Sequence, residues 1–167
     1  MPETRVLLEH AEDPALRTID GYKRLAGGYA TLEKAYKEME ADEILSELED
    51  SGLRGRGGAG FSMGKKASFL PRGDMPKYLC CNADESEPGA FKDRELMQRN
   101  PHQLIEGIAI AALAADAGHA FVFIRGDLQQ TFGATQRTIT TPLERRPSPQ
   151  RIEKARARDA RTDAVVA

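Results

Sequence analysis

At 167 residues the chain is long enough for one domain with a core of its own and too short for two comfortable ones. Its 40% hydrophobic and 30% charged residues describe a soluble globular protein, and a net charge of −2 gives it no general attraction to polyanions. No apolar run approaches the roughly 18 residues of a membrane span, which argues against direct insertion into a bilayer.

The charge is unevenly spread. Residues 1–128 carry 16 basic and 22 acidic side chains, whereas 129–167 carry 8 and 4, so the last stretch belongs to a different regime. Met1-Pro2-Glu3-Thr4-Arg5 has neither the layout nor the cleavage site of a signal peptide. The only cysteines, Cys80 and Cys81, are adjacent. Neighbours in an extended segment point to opposite faces, which predicts no internal disulfide, and without a second pair or nearby histidines they predict no metal site. An intracellular, reducing compartment is the economical reading.

In chain order, Val6, Leu7 and Leu8 predict a short strand over 4–9. Asp13-Pro14 and Asp20-Gly21 are turn signals. Thr31 is placed to cap a helix through residue 40, with Leu32, Ala35, Tyr36 and Met39 spaced along one face. Asp42 is placed to cap a second helix on the stripe Ile44, Leu45 and Leu48, and Gly52 stands where a helix C′ glycine belongs.

Next comes Arg54-Gly55-Arg56-Gly57-Gly58-Ala59-Gly60-Phe61. Four glycines in six positions build neither helix nor strand. Backbone N–H groups freed of side chains can curl into an anion-binding concavity, with Arg54 and Arg56 beside it. The competing reading is a plain flexible loop. Gly55, Gly57 and Gly60 spell G-x-G-x-x-G, but a helix leads in where the dinucleotide fingerprint needs a strand, and no acidic residue closes the unit about 20 positions on. The standard dinucleotide fold is rejected at this site. Ser62 then predicts a short helix to Phe69 carrying Lys65 and Lys66, with its N-terminus beside the glycines.

Lys77 to Cys81 reads as a buried strand, followed by the acidic loop Asn82-Ala83-Asp84-Glu85-Ser86-Glu87-Pro88-Gly89. Loops at the carboxyl ends of strands are where open α/β sheets bind ligands. Taken alone the loop reads as a solvated turn; beside a basic glycine loop it reads as a site. Asp93 is placed to cap a turn over 94–98. Asn100, Pro101 and Gln103 make a capping box for an apolar helix over 101–117 that Gly118 ends. His102 and His119, at the two ends of that helix, read as terminus-stabilising or solvated rather than catalytic. Residues 120–124 complete a strand–helix–strand crossover, and with it a parallel α/β sheet. Beyond Asp127, the Thr/Gln-rich and then Pro/Arg-rich sequence cannot bury enough apolar surface to order itself, so 129–167 reads as a disordered tail.

Ser51 to Phe61, then Cys81 to Gly89, then Lys92-Asp93-Arg94-Glu95 together resemble the flavin-bearing, NADH-oxidising 51-kilodalton component of NADH–quinone oxidoreductase (respiratory complex I). The resemblance covers roughly 12–128, including Tyr22 to Ala30 and Ile124-Arg125-Gly126. Flavin subunits of NAD-linked formate dehydrogenases and hydrogenases share these motifs. The resemblance implies a Rossmann-like, parallel-sheet FMN-binding domain of the α/β class, incomplete, over 51–128, with an N-terminal helical segment over 1–50 and an unrelated tail over 129–167. It implies that FMN is held by Gly55, Arg56, Gly57, Gly58, Ala59 and Gly60, by Gly64, and by Asn82, Asp84 and Glu85, with Lys66 near the flavin. NADH is expected to stack with its adenine near Phe61 and Phe69 and its nicotinamide side near Glu87. Hydride transfer from NADH to FMN, then one-electron steps to iron–sulfur centres, is cofactor chemistry that needs no nucleophile–base pair in the protein.

The family usually has Phe-Pro-Thr-Gly-Leu-Lys-Trp where this chain has Phe61-Ser62-Met63-Gly64-Lys65-Lys66-Ala67. Its second flavin-contacting region and its four-iron-cluster cysteines are absent here. The implied protein is the N-terminal part of that component, binding FMN weakly or not at all by itself. Its implied partners are peripheral-arm subunits, especially a two-iron-cluster subunit, and its implied location is the cytoplasm or the cytoplasmic face of the inner membrane, without nucleic acid.

Overall fold

The structure, a computed structural model, describes residues 5–125 apart from Gly57, Arg72 and Asp74. The expected tail over 129–167 lies outside the described residues.

The first helices are set by side-chain caps placed in succession. Asp13 Oδ1 accepts from the Ala15 N–H (2.9 Å) and opens the 3-10 turn Pro14–Arg17. Thr18 Oγ1 accepts from the Gly21 N–H (3.1 Å) and opens α1, Ile19–Ala26. Helices α2 (Ala30–Glu38) and α3 (Ala41–Asp50) follow. Neither starts on the expected cap. Thr31 lies inside the first turn of α2, whose Leu32 N–H donates instead to Glu106 Oε1 at 3.0 Å, 74 residues away. Asp42 lies inside the first turn of α3, because Glu40 and Glu43 form a capping box two residues earlier, the Glu40 N–H donating to Glu43 Oε2 at 2.7 Å. Gly52 does stand just past α3, in the left-handed region at φ 65°.

The expected strand over 4–9 is not formed: the segment is a turn with Val6, Leu7 and Leu8 exposed. Three consecutive apolar residues do not alternate, so a strand there would send the middle one to the opposite face from its neighbours.

Helix α4 is Met63–Ser68, strand β1 is Tyr78–Ala83, helices α5 (Lys92–Arg99) and α6 (Pro101–Ala115) form the crossover, and β2 is His119–Ile124. The strands pair in parallel, from Tyr78 opposite His119 to Ala83 opposite Ile124, the arrangement the crossover predicts. Both strands extend past their expected limits, so Asn82 and Ala83 belong to β1 and not to the loop after it. Alternation sorts the side chains. Cys81, Ala83, Val122 and Ile124 join Met97, Leu104 and Ile108 in a core beneath the sheet, while Tyr78, Cys80, Asn82, Phe121 and Phe123 lie exposed on its other face. Cys80 and Cys81 are free thiols.

Helix α6 ends at Ala115, with Asp116 and not Gly118 in the left-handed conformation. Gly118 donates its N–H to the Lys77 carbonyl (3.1 Å), joining the entrances of the two strands. Asn100 caps α6 only half as expected: its Oδ1 accepts from the Gln103 N–H (3.4 Å), but the Gln103 side chain accepts from Asn100 Nδ2 (2.6 Å). Helix α5 starts at Lys92, before the expected Asp93, and takes its cap from elsewhere.

A second core cluster packs Ala35 and Ile44 against Ala114, with Met39, Leu45, Leu48, Ile110 and Leu113 around them. Helix α6 thus carries the sheet on one side and the N-terminal helices on the other. The result is the expected α/β class, a small parallel sheet with a helical segment before it. Among the described residues no helix is long and apolar enough to cross a membrane.

Candidate functional site

The glycine loop is a closed excursion between α3 and α4. Its neck is an antiparallel bridge between Arg54 and Ser62, made by Gly55 N–H donating to the Phe61 carbonyl (2.8 Å) and Met63 N–H to the Leu53 carbonyl (2.9 Å). Arg54 ties the loop across its middle: its Nε–H donates to the Gly60 carbonyl at 2.5 Å. Gly58 and Gly60 sit at φ 107° and 60°, where a side chain would strain the backbone. A Cβ added at Gly58 would meet nothing within 4 Å, so space remains open in front of the loop. Arg56, Gly58 and Ala59 are exposed, Gly55 and Gly60 half-buried. Gly57 lies outside the described residues.

Ser62 caps α4 as expected, its Oγ accepting from the Lys65 N–H (3.3 Å). Gly64 is buried against α3, where a Cβ would come within 2.4 Å of the Glu49 nitrogen, so its absent side chain permits helix packing. Lys65 and Lys66 are exposed; among the described residues neither they nor Arg56 form an ion pair. Phe61 and Phe69 are exposed and pair with ring centroids 6.2 Å apart. A phosphate-bearing, ring-containing cofactor fits this set: open glycine backbone, exposed cations and an exposed aromatic pair.

The acidic segment at the carboxyl end of β1 is not uniform. The Asp84 N–H donates to Asn82 Oδ1 (2.9 Å) and Ser86 Oγ–H to Asp84 Oδ1 (2.8 Å), closing the turn locally. Asn82 and Glu87 are exposed and Asp84 half-buried, but Glu85 is buried. Its carboxylate accepts from the Asp93 N–H (2.7 Å) and Arg94 N–H (3.3 Å) at the start of α5. Sequence position placed Glu85 with its neighbours; its side chain points the other way.

The predicted residues thus gather into two groups, one around α4 (Gly55, Arg56, Gly58, Ala59, Gly60, Phe61, Gly64, Lys66, Phe69) and one after β1 (Asn82, Asp84, Glu85, Glu87). Among the described residues no hydrogen bond or ion pair joins the groups. Nor do three His, Cys, Asp or Glu side chains converge on a metal-sized point. A cleft of about 350 Å³ lies elsewhere, lined by residues of α1 and α6, and no predicted site residue borders it.

One buried polar cluster escaped the sequence reading. Glu106 Oε2 accepts from the Tyr22 hydroxyl (2.5 Å), and the Tyr29 hydroxyl is hydrogen-bonded to His102 Nδ1 (2.7 Å), with His102 stacked on Tyr22. His102 is almost wholly buried, so of the two roles expected for it, terminus-stabilising or solvated, the solvated one does not hold. Burial pushes its pKa down, which favours the neutral ring. Burial, then the Glu106 hydrogen bond and charge, push Tyr22 far above the usual tyrosine range; burial and the Glu106 charge push Tyr29 up to about 12. The signal was available: Glu106 lies between Ile105 and Ile108 on an apolar helix, and a buried carboxylate must find donors.

The model of the Nuo51 FMN-binding domain family matches residues 48–160. The chain belongs to the Nuo51 FMN-binding domain family. The match begins at the end of α3, takes in both site groups, and runs past residue 128, where the resemblance read from the sequence ended. An NADH-quinone oxidoreductase F-type subunit of Rhizobium meliloti (strain 1021) is 53% identical over 123 residues, 73% of this chain and 29% of the relative. The F-type subunit of the NADH-quinone oxidoreductase of Escherichia coli (strain K12) is 41% identical over 146 residues, 86% of this chain and 33% of the relative. The chain spans about a third or less of the length of these curated relatives. Among solved structures, an NAD+-reducing NiFe hydrogenase in the H2-reduced state matches with a TM-score of 0.66 at 32% identity, over 89% of this chain and 24% of that one. Family membership thus coincides with the loop whose open glycines and exposed cations fit a phosphate-bearing ligand.

Proposed function

We propose that this chain supplies the first part of the FMN- and NADH-binding site of an NADH–quinone oxidoreductase flavoprotein. The observation that carries the proposal is the glycine loop: a family-matched excursion, closed at its neck, with glycine at the positive φ of positions 58 and 60, and flanked by cations without ion pairs among the described residues. Its backbone N–H groups, with Arg56, Lys65 and Lys66, bind phosphate. Gly64 lets α4 seat closely on α3 and so fixes where Lys66 stands. Phe61 and Phe69, an exposed pair of rings tilted to each other, offer apolar faces to adenine. Asn82 and Asp84 bind the polar edge of the flavin, with Glu85 in the same segment, and Glu87 faces the nicotinamide side. When bound, FMN supplies the exchange between a hydride from NADH and single electrons for iron–sulfur centres. The residues themselves bind, orient and set the local charge.

Along the chain, we assign residues 1–50 to an N-terminal helical segment and residues 51–128 to the cofactor-binding domain. Partners are other subunits of the oxidoreductase, among them a two-iron-cluster subunit, on the cytoplasmic face of the membrane. The matched hydrogenase, at 32% identity and TM-score 0.66, supports a second reading as the flavin-bearing part of an NAD-linked hydrogenase. The higher identities to the NADH-quinone oxidoreductase relatives, 53% and 41%, favour the first.

Titrating the chain with FMN and, separately, with riboflavin tests the site through flavin fluorescence. The expected result is saturable quenching, weaker than micromolar, with FMN favoured about tenfold or more, the worth of one or two charge-assisted phosphate bonds. No saturable quenching, or equal affinity for the two flavins, contradicts it.

A further inference from the structure

We infer that Glu85 is the positioning residue of the acidic segment, acting through α5 and not by touching the cofactor. Burying a carboxylate is costly unless charged or dipolar donors replace its water. Glu85 is 8% exposed in a stretch whose next four residues are all exposed, so something inside the fold holds it there. The holders are the Asp93 and Arg94 N–H groups, two free donors of the first turn of α5 (2.7 and 3.3 Å). The cap position of α5 is Phe91, which supplies no side-chain acceptor, so the helix has no local substitute for Glu85.

The same residue is held a second time through its main chain. Arg125 Nη1 donates to the Glu85 carbonyl at 3.0 Å, from the end of β2. The end of one strand, the end of its partner and the start of α5 therefore converge on Glu85. Between Glu85 and Asp93 the chain makes a clipped loop, closed within by Ala90 N–H donating to the Glu87 carbonyl (3.0 Å) and turning at Gly89 with φ 82°. Ser86 N–H closes the near side on the Asp84 carbonyl (3.1 Å). With Glu85 anchored inward, its neighbours are delivered outward: Glu87 exposed, Asp84 half-buried, Asn82 exposed at the strand end. Of three carboxylates in four positions, one is the anchor and two are presented.

The value of this placement to a cofactor rests on the proposed FMN site; the anchoring itself does not, and the test separates the two. In the full chain, amide exchange is measured without ligand at Asp93, Arg94, Ser86 and Ala90, followed by FMN titration, for wild type, Glu85→Gln, Glu85→Ala and Glu85→Ala with Phe91→Asp. Phe91→Asp gives α5 a local cap without restoring the tie to the loop. Glu85→Ala is expected to speed exchange about tenfold at all four amides and to weaken FMN about as much, with Glu85→Gln between it and wild type. Adding Phe91→Asp restores slow exchange at Asp93 and Arg94 only; Ser86, Ala90 and FMN affinity stay impaired. If Phe91→Asp restores everything, Glu85 merely caps a helix and the inference fails. If Glu85→Ala weakens FMN but leaves Ser86 and Ala90 protected, Glu85 is a direct ligand and the inference again fails. Should wild type not take up FMN, the proposed function falls, and the exchange pattern alone still decides the role of Glu85.

Discussion

Around Glu106 the strong polar groups are bonded to one another; around Gly58 they are left open. Glu106 accepts from Tyr22 and from the Leu32 N–H, and Tyr29 is hydrogen-bonded to a buried His102, so the cluster pins α1 and α2 to α6. The glycine loop instead uses one arginine and two backbone bonds to hold its shape, and leaves exposed cations and an exposed aromatic pair facing solvent. Buried polar groups must be satisfied within the fold, whereas a binding surface has to retain unmet donors for its ligand. Glu85 belongs to the first kind and sits among residues of the second, which is why it can hold them in place.

Breaking the buried side should cost most. Glu106→Ala leaves the Tyr22 hydroxyl and the Leu32 N–H without an acceptor, and at roughly 1–3 kcal/mol for each stranded group it should destabilise the chain by about 3 kcal/mol. A urea midpoint that falls at unchanged m-value checks this. Removing the Glu85 anchor should cost less, about 1 kcal/mol, because α5 loses a cap at the edge of solvent and water can reach the freed donors; the same urea titration on Glu85→Ala reads it.

The buried side should also respond to acid. His102 is folded in its neutral form with a lowered pKa, so as pH falls through the ordinary histidine value near 6.5 the unfolded chain takes up the proton first. Its contribution to stability is therefore full above that value and declines until pH passes the folded pKa, at no more than about 1.4 kcal/mol per pH unit. Stability followed between pH 7 and 5 should slope less steeply in His102→Gln than in wild type. A parallel pair of curves would remove His102 from the acid response.

On the open side the effects on stability should nearly vanish. Arg56→Ala and Lys66→Ala, both exposed and without ion pairs among the described residues, should shift stability by no more than about 0.5 kcal/mol while weakening FMN about tenfold each. Equal effects on folding and binding would erase the contrast between the two regions.

Much of this organisation is legible in local sequence. The apolar runs on either side of a capped, alanine-rich helix announce the parallel crossover, and the glycine cluster after a helix announces a loop that is not a dinucleotide fingerprint. What local sequence misleads about is settled by distant partners. Thr31 is a good cap by type, yet Glu106 reaches α2 from 74 residues away. His102 sits at a helix start, where histidines are often solvated, but the packing of Tyr22 and Tyr29 buries it. Glu85 reads as one of three similar carboxylates, and only the need of α5 for an acceptor turns it inward. The exposed Val6, Leu7 and Leu8 show the converse, an apolar run with no partner strand among the described residues to give it a structure.

Mapping amide chemical shifts during an FMN titration tests the central contrast most directly. The account predicts shifts concentrated at Gly55 to Lys66 and at Asn82 to Glu87, with Tyr22, Tyr29, His102 and Glu106 unmoved. Shifts centred on Tyr22 and Glu106, beside the cleft of about 350 Å³ that they line, with the glycine loop silent, would contradict it.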